Sequence, residues 1–160
     1  MKTVRTVSKQ RAEAGDQWAG PLYLDASALI KLYLPEKGSD ELDAAIRGRS
    51  DLLVSDLAIT EIVSALARRR REGSLTSVST ARIQRQIRSD VGDGLYSKID
   101  IIPDTHREAE RFLLALERVP LRAADALHLA MATLTSAGAI VTYDRKLAEA
   151  ALQLGSDAVP

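Results

Sequence analysis

Residues 22–34 read LYLDASALIKLYL, and the order of side chains in this stretch sets a pattern that the rest of the chain repeats. The run Leu22 to Leu24 is short and apolar, as in a strand that is buried on both faces. From Ala26 onward apolar residues recur at the spacing of a helix until Pro35, which cannot continue one. The stretch therefore predicts a buried strand and a helix that are separated by Asp25.

The same order returns along the chain, because each brief apolar run is followed by one or two amphipathic segments. Strands are predicted at 22–24, 52–54, 99–102 and 139–142, with a short edge strand at 157–159. Helices are predicted at 26–34, 39–46, about 57–71, 75–89, 103–118, 121–135 and 145–154. Short apolar strands that alternate with helices favour a parallel sheet covered on both faces, hence one three-layer α/β domain over residues 21–160.

The composition narrows the class of protein. A chain of 160 residues is the size of one domain that needs no cross-links. The absence of Cys excludes disulfides, thiolate metal sites and cysteine nucleophiles, and two His are too few for ordinary structural zinc. Residues 1–20 form a basic N-terminal extension with no secretory signal after it, and the uncharged stretch 126–143 contains polar side chains typical of a helix, a turn and a strand. We therefore expect a cytoplasmic protein without membrane contact.

The formal net charge of zero excludes a global attraction to nucleic acid or membrane, but the charges are unevenly distributed. Residues 66–88 carry seven Arg and one Glu, whereas acidic residues outnumber basic ones in 21–65 and 89–160. An anionic partner would therefore be attracted locally.

Four acidic residues stand where a parallel sheet places ligands, beyond the carboxyl ends of its strands. Asp25 directly follows the first predicted strand, and Asp144 follows the fourth. Glu61 and Asp125 lie in the opening turns of two helices among small or apolar neighbours, so both are expected to face inward. Isolated buried carboxylates are costly, and four of them without Cys or paired His suit a hard ion such as Mg²⁺ or Mn²⁺. Such ions activate water and stabilise charge on a phosphoryl oxygen.

Four segments of the chain resemble, in order, the four motifs of PIN-domain ribonucleases of the VapC toxin type. They are YLDASALIKLY at 23–33, TEI at 60–62, DALHLA at 125–130 and VTYDRKL at 141–147. The resemblance covers about residues 21–160. It implies a PIN-like α/β/α fold with a short central parallel sheet, and divalent-metal-dependent endonucleolytic cleavage of RNA.

The resemblance also implies the parts of the site. A Mg²⁺ ion, with Mn²⁺ as the alternative, would be held most directly by Asp25 and Asp125. Glu61 and Asp144 would complete its shell through oxygen or water, and one of these two would take the proton of the attacking water. The family further implies a cognate antitoxin that blocks the acidic site, and a homodimer.

Each acidic residue except Glu61 also has a purely structural interpretation. Asp25 and Asp144 are well placed as helix N-caps, and Asp125 would favour a helix dipole. Glu61 lies too far into its helix to cap it. Ser27 and Thr142 either orient a water or an acid by hydrogen bonding, or serve only as cap and strand-end groups.

The basic residues and histidines also leave alternatives open. Seven arginines either contact RNA phosphates or serve the helix dipole and solubility: Arg68 to Arg71, and Arg82, Arg85 and Arg88 at three-residue spacing. The candidate RNA-binding residues among them are Arg68, Arg69, Arg82, Arg85 and Arg88. His128 is interpreted as a packed core histidine in preference to a ligand or general base. His106 has no partner in sequence.

Two other functions remain as alternatives to a ribonuclease. One is a PIN-fold module that binds an antitoxin or RNA without significant catalysis, which the intact set of four acids disfavours. The other is a different Mg²⁺-dependent phosphoryl-transfer protein, such as a receiver or phosphatase, but Asp25 lacks the neighbouring second acid that those sites use.

Overall fold

The computed structural model describes residues 18–159, which form a five-stranded parallel sheet between two layers of helices. The strands are β1 (Leu22–Leu24), β2 (Leu52–Ser55), β3 (Ser97–Ile99), β4 (Ala139–Val141) and β5 (Asp157–Val159). The helices are α1 (Ala26–Leu29), α2 (Ser39–Ile46), α3 (Asp56–Arg71), α4 (Ser77–Gly92), α5 (Pro103–Ala115), α6 (Ala123–Leu134) and α7 (Arg145–Gln153). The predicted fold class is confirmed.

The three central strands β1, β2 and β4 are buried at every position, and their side chains alternate between two cores. Leu22 and Leu24 join the core under helices α1 to α4, whereas Tyr23 joins the core under α5 to α7. Because both faces of each strand are covered, nearly continuous apolar runs were needed, and these runs made the strands recognisable.

The order of the strands creates a topological switch point between β1 and β4. The order is β3-β2-β1-β4-β5, so the chain first builds outward from β1 on one side and then crosses to the other side at β4. Parallel pairing sets Leu24 opposite Val141, so the residues that follow β1 and β4 emerge side by side. In open α/β sheets ligands bind at such a switch point, beyond the carboxyl ends of the strands.

Several predicted bounds are wrong: α4 spans Ser77–Gly92 instead of 75–89, α5 ends at Ala115 instead of 118, and two further elements differ as follows. The third strand spans Ser97–Ile99 instead of 99–102, and Ile102 is exposed beyond it. This edge strand pairs with β2 alone, and β2 ends at Ser55, opposite Ile99. Within residues 18–159, no neighbouring strand is left to pair with the residues after Ile99.

The first helix is also shorter than predicted. It is α-helical only at Ala26–Leu29 and continues as a 3₁₀ turn at Ile30–Leu32. The amides of Tyr33 and Leu34 both donate to the carbonyl of Ile30, at 3.1 and 2.9 Å. Pro35 has no amide hydrogen to donate and disfavours the α conformation at Leu34, so the helix cannot continue beyond this point.

The predicted N-terminal extension lies largely outside the described residues, and the part that is described is fixed to the domain. Arg49 donates to the carbonyl of Trp18 at 3.0 Å and to that of Gly20 at 2.6 Å. No helix within residues 18–159 is long and apolar enough to cross a membrane.

We predict that Gly138→Ala destabilises the protein by about 1–3 kcal/mol, because a Cβ at this position would collide with the carbonyl of Ala19. Gly92 is the matched control: it ends α4, and a Cβ added there would meet no atom within 4 Å, so Gly92→Ala should leave stability unchanged or raise it by up to about 1 kcal/mol. Urea unfolding of both variants measures the difference. Equal stability of the two would contradict the close approach of residue 19 to β4.

Candidate active site

Asp25 is the most buried of the four predicted site acids, with 4% of its surface exposed. It is the N-cap of α1, and its Oδ1 accepts a hydrogen bond from the amide of Ala28 at 2.8 Å. The hydroxyl of Ser27 donates to both carboxylate oxygens, at 2.8 and 2.9 Å, and the hydroxyl of Thr142 donates to Oδ2 at 2.7 Å. Three donors therefore fix the orientation of this carboxylate.

The two hydroxyl groups also tie the ends of β1 and β4 together. The amide of Tyr143 donates to Ser27 Oγ at 2.7 Å, and the amide of Asp144 donates to Thr142 Oγ1 at 3.0 Å. Each hydroxyl thus accepts from the turn after β4 and gives its proton to Asp25, because an ionised carboxylate accepts only. Ser27 and Thr142 have the contacts predicted for residues that orient an acid.

Burial raises the pKa of Asp25 above its usual value, and the hydrogen bonds from Thr142, Ala28 and Ser27 only partly offset this effect. The folded protein therefore holds a carboxylate where ionisation is unfavourable without a nearby cation.

Asp125 lies half-buried in the first turn of α6, where its Oδ2 accepts from the amide of Arg122 at 3.2 Å. Burial raises its pKa, and the negative charge of Asp144 raises it further. Asp144 itself is exposed and caps α7, since its Oδ1 accepts from the amides of Lys146 and Leu147 at 2.8 and 3.2 Å. The structure thus brings Asp125 and Asp144 close enough to repel each other.

Glu61 lies in the second turn of α3, and 36% of its side chain is exposed. Its Oε2 is 2.7 Å from Nε2 of His128, which is 2% exposed on α6. The prediction of a buried histidine is correct, but its contact with Glu61 was missed. Helical spacing placed His128 on nearly the same face as Asp125, whereas nothing in the sequence indicates which side chain of another helix it meets.

Asp25 and Asp144 follow β1 and β4, and Glu61 and Asp125 lie near the N-termini of α3 and α6. All four therefore stand at one edge of the sheet, which we call the acidic edge. Within residues 18–159 no three Asp, Glu or His side chains lie close enough together to enclose an ion. The donor set nevertheless fits a hard divalent ion, because it offers carboxylate oxygens, a buried Asp25 and a repelling pair. Mg²⁺ is commonly bound through one or two carboxylates and keeps several waters, so a closed cage is not required.

The predicted RNA-binding arginines divide into two groups. Arg68 and Arg69 lie about 10–12 Å beyond Glu61 along α3, at 1.5 Å per residue, and Arg69 forms an ion pair with Glu36. Helix α4 returns alongside α3 and carries Arg82, Arg85 and Arg88, all exposed. Arg88 lines a cleft of about 480 Å³ between these helices, together with Asp56 and Thr60 at the start of α3. Among the predicted arginines, Arg88 therefore lies beside the start of α3, the helix that carries Glu61.

Comparison with known proteins gives the chain a family context. The model of the PIN domain family matches residues 22–152. "Ribonuclease VapC46" of Mycobacterium tuberculosis is 31% identical over 142 residues, which cover 84% of this chain and 92% of that protein.

Two solved structures share the fold. FitAcB from Neisseria gonorrhoeae superposes with a TM-score of 0.70 at 14% identity, over 87% of this chain and 96% of that one. A toxin-antitoxin complex from Klebsiella pneumoniae matches with a TM-score of 0.55 at 19% identity, over 81% of this chain and 90% of that one.

We predict that ionisation of Asp25 and Asp125 weakens the metal-free fold. A carboxyl whose pKa is raised in the folded state favours folding while it is protonated, and this contribution is lost as pH rises through the folded-state pKa. In EDTA, urea unfolding from about pH 4 to pH 7 should therefore show a loss of stability that is smaller in Asp25→Asn/Asp125→Asn. Added Mg²⁺ should stabilise the wild type more than this variant at neutral pH. Parallel pH profiles for the two proteins would contradict the prediction.

Proposed function

The chain belongs to the PIN-domain family, and from that premise we propose that it is an endoribonuclease of the VapC type that hydrolyses RNA phosphodiester bonds with a bound divalent cation. The observation that carries the proposal is the state of Asp25: a buried carboxylate, oriented by three donors, at the switch point where β1 and β4 end. The chain also covers most of a relative of similar length that is named a ribonuclease.

We propose that Asp25 and Asp125 hold the cation most directly, with Glu61 and Asp144 completing its surroundings directly or through water. Mg²⁺ is the first choice and Mn²⁺ the second, because the donor set is made of carboxylate oxygens. When bound, such an ion supplies a water of lowered pKa and positive charge beside the scissile phosphate.

The chain's own groups orient the reactants and move the proton. Ser27 and Thr142 keep the Asp25 carboxylate in one orientation, which limits the reorganisation needed during the reaction. Glu61 or Asp144 accepts the proton of the attacking water, since both carboxylates are at least partly exposed at the acidic edge.

We place the RNA path along α4 toward the acidic edge. Phosphate contacts from arginines supply affinity without sequence information, and Arg88 lies beside the start of α3. The chain has only six aromatic residues, so stacking of many bases is not expected to contribute.

The proposed partners follow from the same family. A cognate antitoxin would cover the acidic site; a structural neighbour solved as a toxin-antitoxin complex supports this proposal. We further propose a homodimer that acts in the cytoplasm, where its RNA substrate lies.

We predict that Asp25→Asn and Asp125→Asn each lower cleavage of labelled cellular RNA by at least about 100-fold, and that EDTA abolishes it, because charge neutralisation at the phosphate is lost. Asp104→Asn is the control, since Asp104 is an exposed residue paired with Arg107 on α5. Cleavage that persists in EDTA, or undiminished activity in both site variants, would refute the mechanism. Antitoxin or RNA binding without cleavage by the wild type would favour the non-catalytic module.

We predict that replacing Arg82, Arg85 and Arg88 by Glu weakens RNA binding and makes it less sensitive to salt. The negative slope of log affinity against log salt should become shallower by about 2, because phosphate contacts are removed. The matched control reverses the same number of charges at Arg68, Arg70 and Arg71, and it spares Arg69 because that residue pairs with Glu36. Fluorescence anisotropy with a single-stranded RNA measures both. Equal losses in the two triple variants would indicate a non-specific charge effect and remove the proposed path along α4.

A further inference from the structure

A buried chain of hydrogen bonds runs through the centre of the domain and ends on Glu61. Ser55 Oγ lies 2.9 Å from the hydroxyl of Tyr23, and that hydroxyl lies 2.8 Å from Nδ1 of His128. Nε2 of the same imidazole lies 2.7 Å from Oε2 of Glu61. Ser55 and Tyr23 are fully buried and His128 is 2% exposed, so among these four groups only Glu61 reaches solvent.

The direction of the chain follows from which groups can donate. The amide of Ala58 donates to Ser55 Oγ at 3.1 Å, and the ionised carboxylate of Glu61 only accepts. His128 therefore donates from Nε2 to Glu61. A neutral imidazole then accepts at Nδ1 from the Tyr23 hydroxyl, which in turn accepts from Ser55. Every hydroxyl and ring nitrogen then has a partner, in agreement with the finding that no buried side-chain polar atom of the described residues lacks one.

The two ends of the chain lie on the same helix. Ser55 is the N-cap of α3, and Glu61 stands in its second turn, whereas the two middle members come from β1 and α6. The rings of Tyr23 and His128 meet edge to face, with centroids 5.8 Å apart, inside the core under α5 to α7. Packing therefore prevents the imidazole from turning away from Glu61.

We propose that His128, held by Tyr23, is a positioning residue that fixes the carboxylate of Glu61 at the acidic edge of the site. The consequence for catalysis rests on the proposed ribonuclease function, whereas the positioning itself does not. A rotating Glu61 would sample orientations that face solvent, because its side chain is partly exposed. One strong donor from a rigid, buried ring restricts it to the orientation that the reaction uses.

Activity tests the catalytic consequence. His128→Leu should lower kcat for RNA cleavage about tenfold or more with little change in KM, because RNA is held by other groups. His128→Gln should recover much of the loss, since its amide can still donate to Glu61. Tyr23→Phe should lower kcat less, and Tyr33→Phe is the matched control, because it removes a tyrosine hydroxyl bonded to Asp90 and Tyr96 outside this chain.

A double-mutant cycle shows whether His128 acts through Glu61. If it does, His128→Leu should lower kcat far less in a Glu61→Ala background than in the wild type. The proposal would be overturned if the two losses of kcat were fully additive, or if His128→Leu raised KM instead of lowering kcat. Failure of Gln to rescue would do so as well.

The same cycle on unfolding in EDTA needs no activity. Loss of one partner leaves the other with an unsatisfied group, so the two substitutions should be non-additive by about tenfold in the unfolding constant. If His128→Leu prevents folding, Tyr23→Phe replaces it in the cycle with Glu61→Ala, because it removes the hydroxyl that holds the imidazole. Additive unfolding effects would overturn the positioning role even in an active enzyme. An inactive wild type with coupled unfolding effects would refute the ribonuclease while retaining the contact.

Discussion

The structure depends on a carboxylate held out of water at the end of its central strand. Asp25 follows β1, which lies between β2 and β4, so its neighbours are fixed by the pairing of all three strands. An isolated charge there is unfavourable, and three hydrogen bonds compensate for only part of that cost. The donors come from α1 and from the end of β4. Because their hydroxyl groups also accept from the amides of Tyr143 and Asp144, they fix the position of the turn that carries Asp144. Burial of this carboxyl group thus accounts for the local geometry at the ends of β1 and β4.

Much of this arrangement could be predicted from the sequence, because buried strands and helix caps have local signals. The apolar run Leu22 to Leu24 marked β1 correctly, and the predicted edge strand at 157–159 is β5. Asp25 and Asp144 were open to two interpretations, as caps or as site residues. The structure shows that each does cap a helix, and this is compatible with a site, since both caps use Oδ1 and leave Oδ2 outside the cap.

The rest could not be predicted, because it depends on contacts between distant elements. The end of β3 was set by the length of its neighbour β2, not by the β-branched residues that follow it. The arginines of α3 and α4 form one basic segment in the sequence, and only the packing of α4 alongside α3 shows that Arg88 lies beside Asp56 and Thr60. His128 and Glu61 are 67 residues apart, and helical spacing shows which face a residue occupies but not its partner on another helix.

The hydrogen-bonded chain that leaves α3 at Ser55 and returns to it at Glu61 has a consequence for motion. Helix termini usually fray, and sites on them gain mobility at little cost. Here the first two turns of α3 are fastened to a tyrosine and a histidine in the middle of the core, so they cannot open without disturbing it. The acidic edge and the hydrophobic core therefore form one cooperative unit. A molecule that binds at Glu61 would therefore raise the free energy of unfolding of the whole domain.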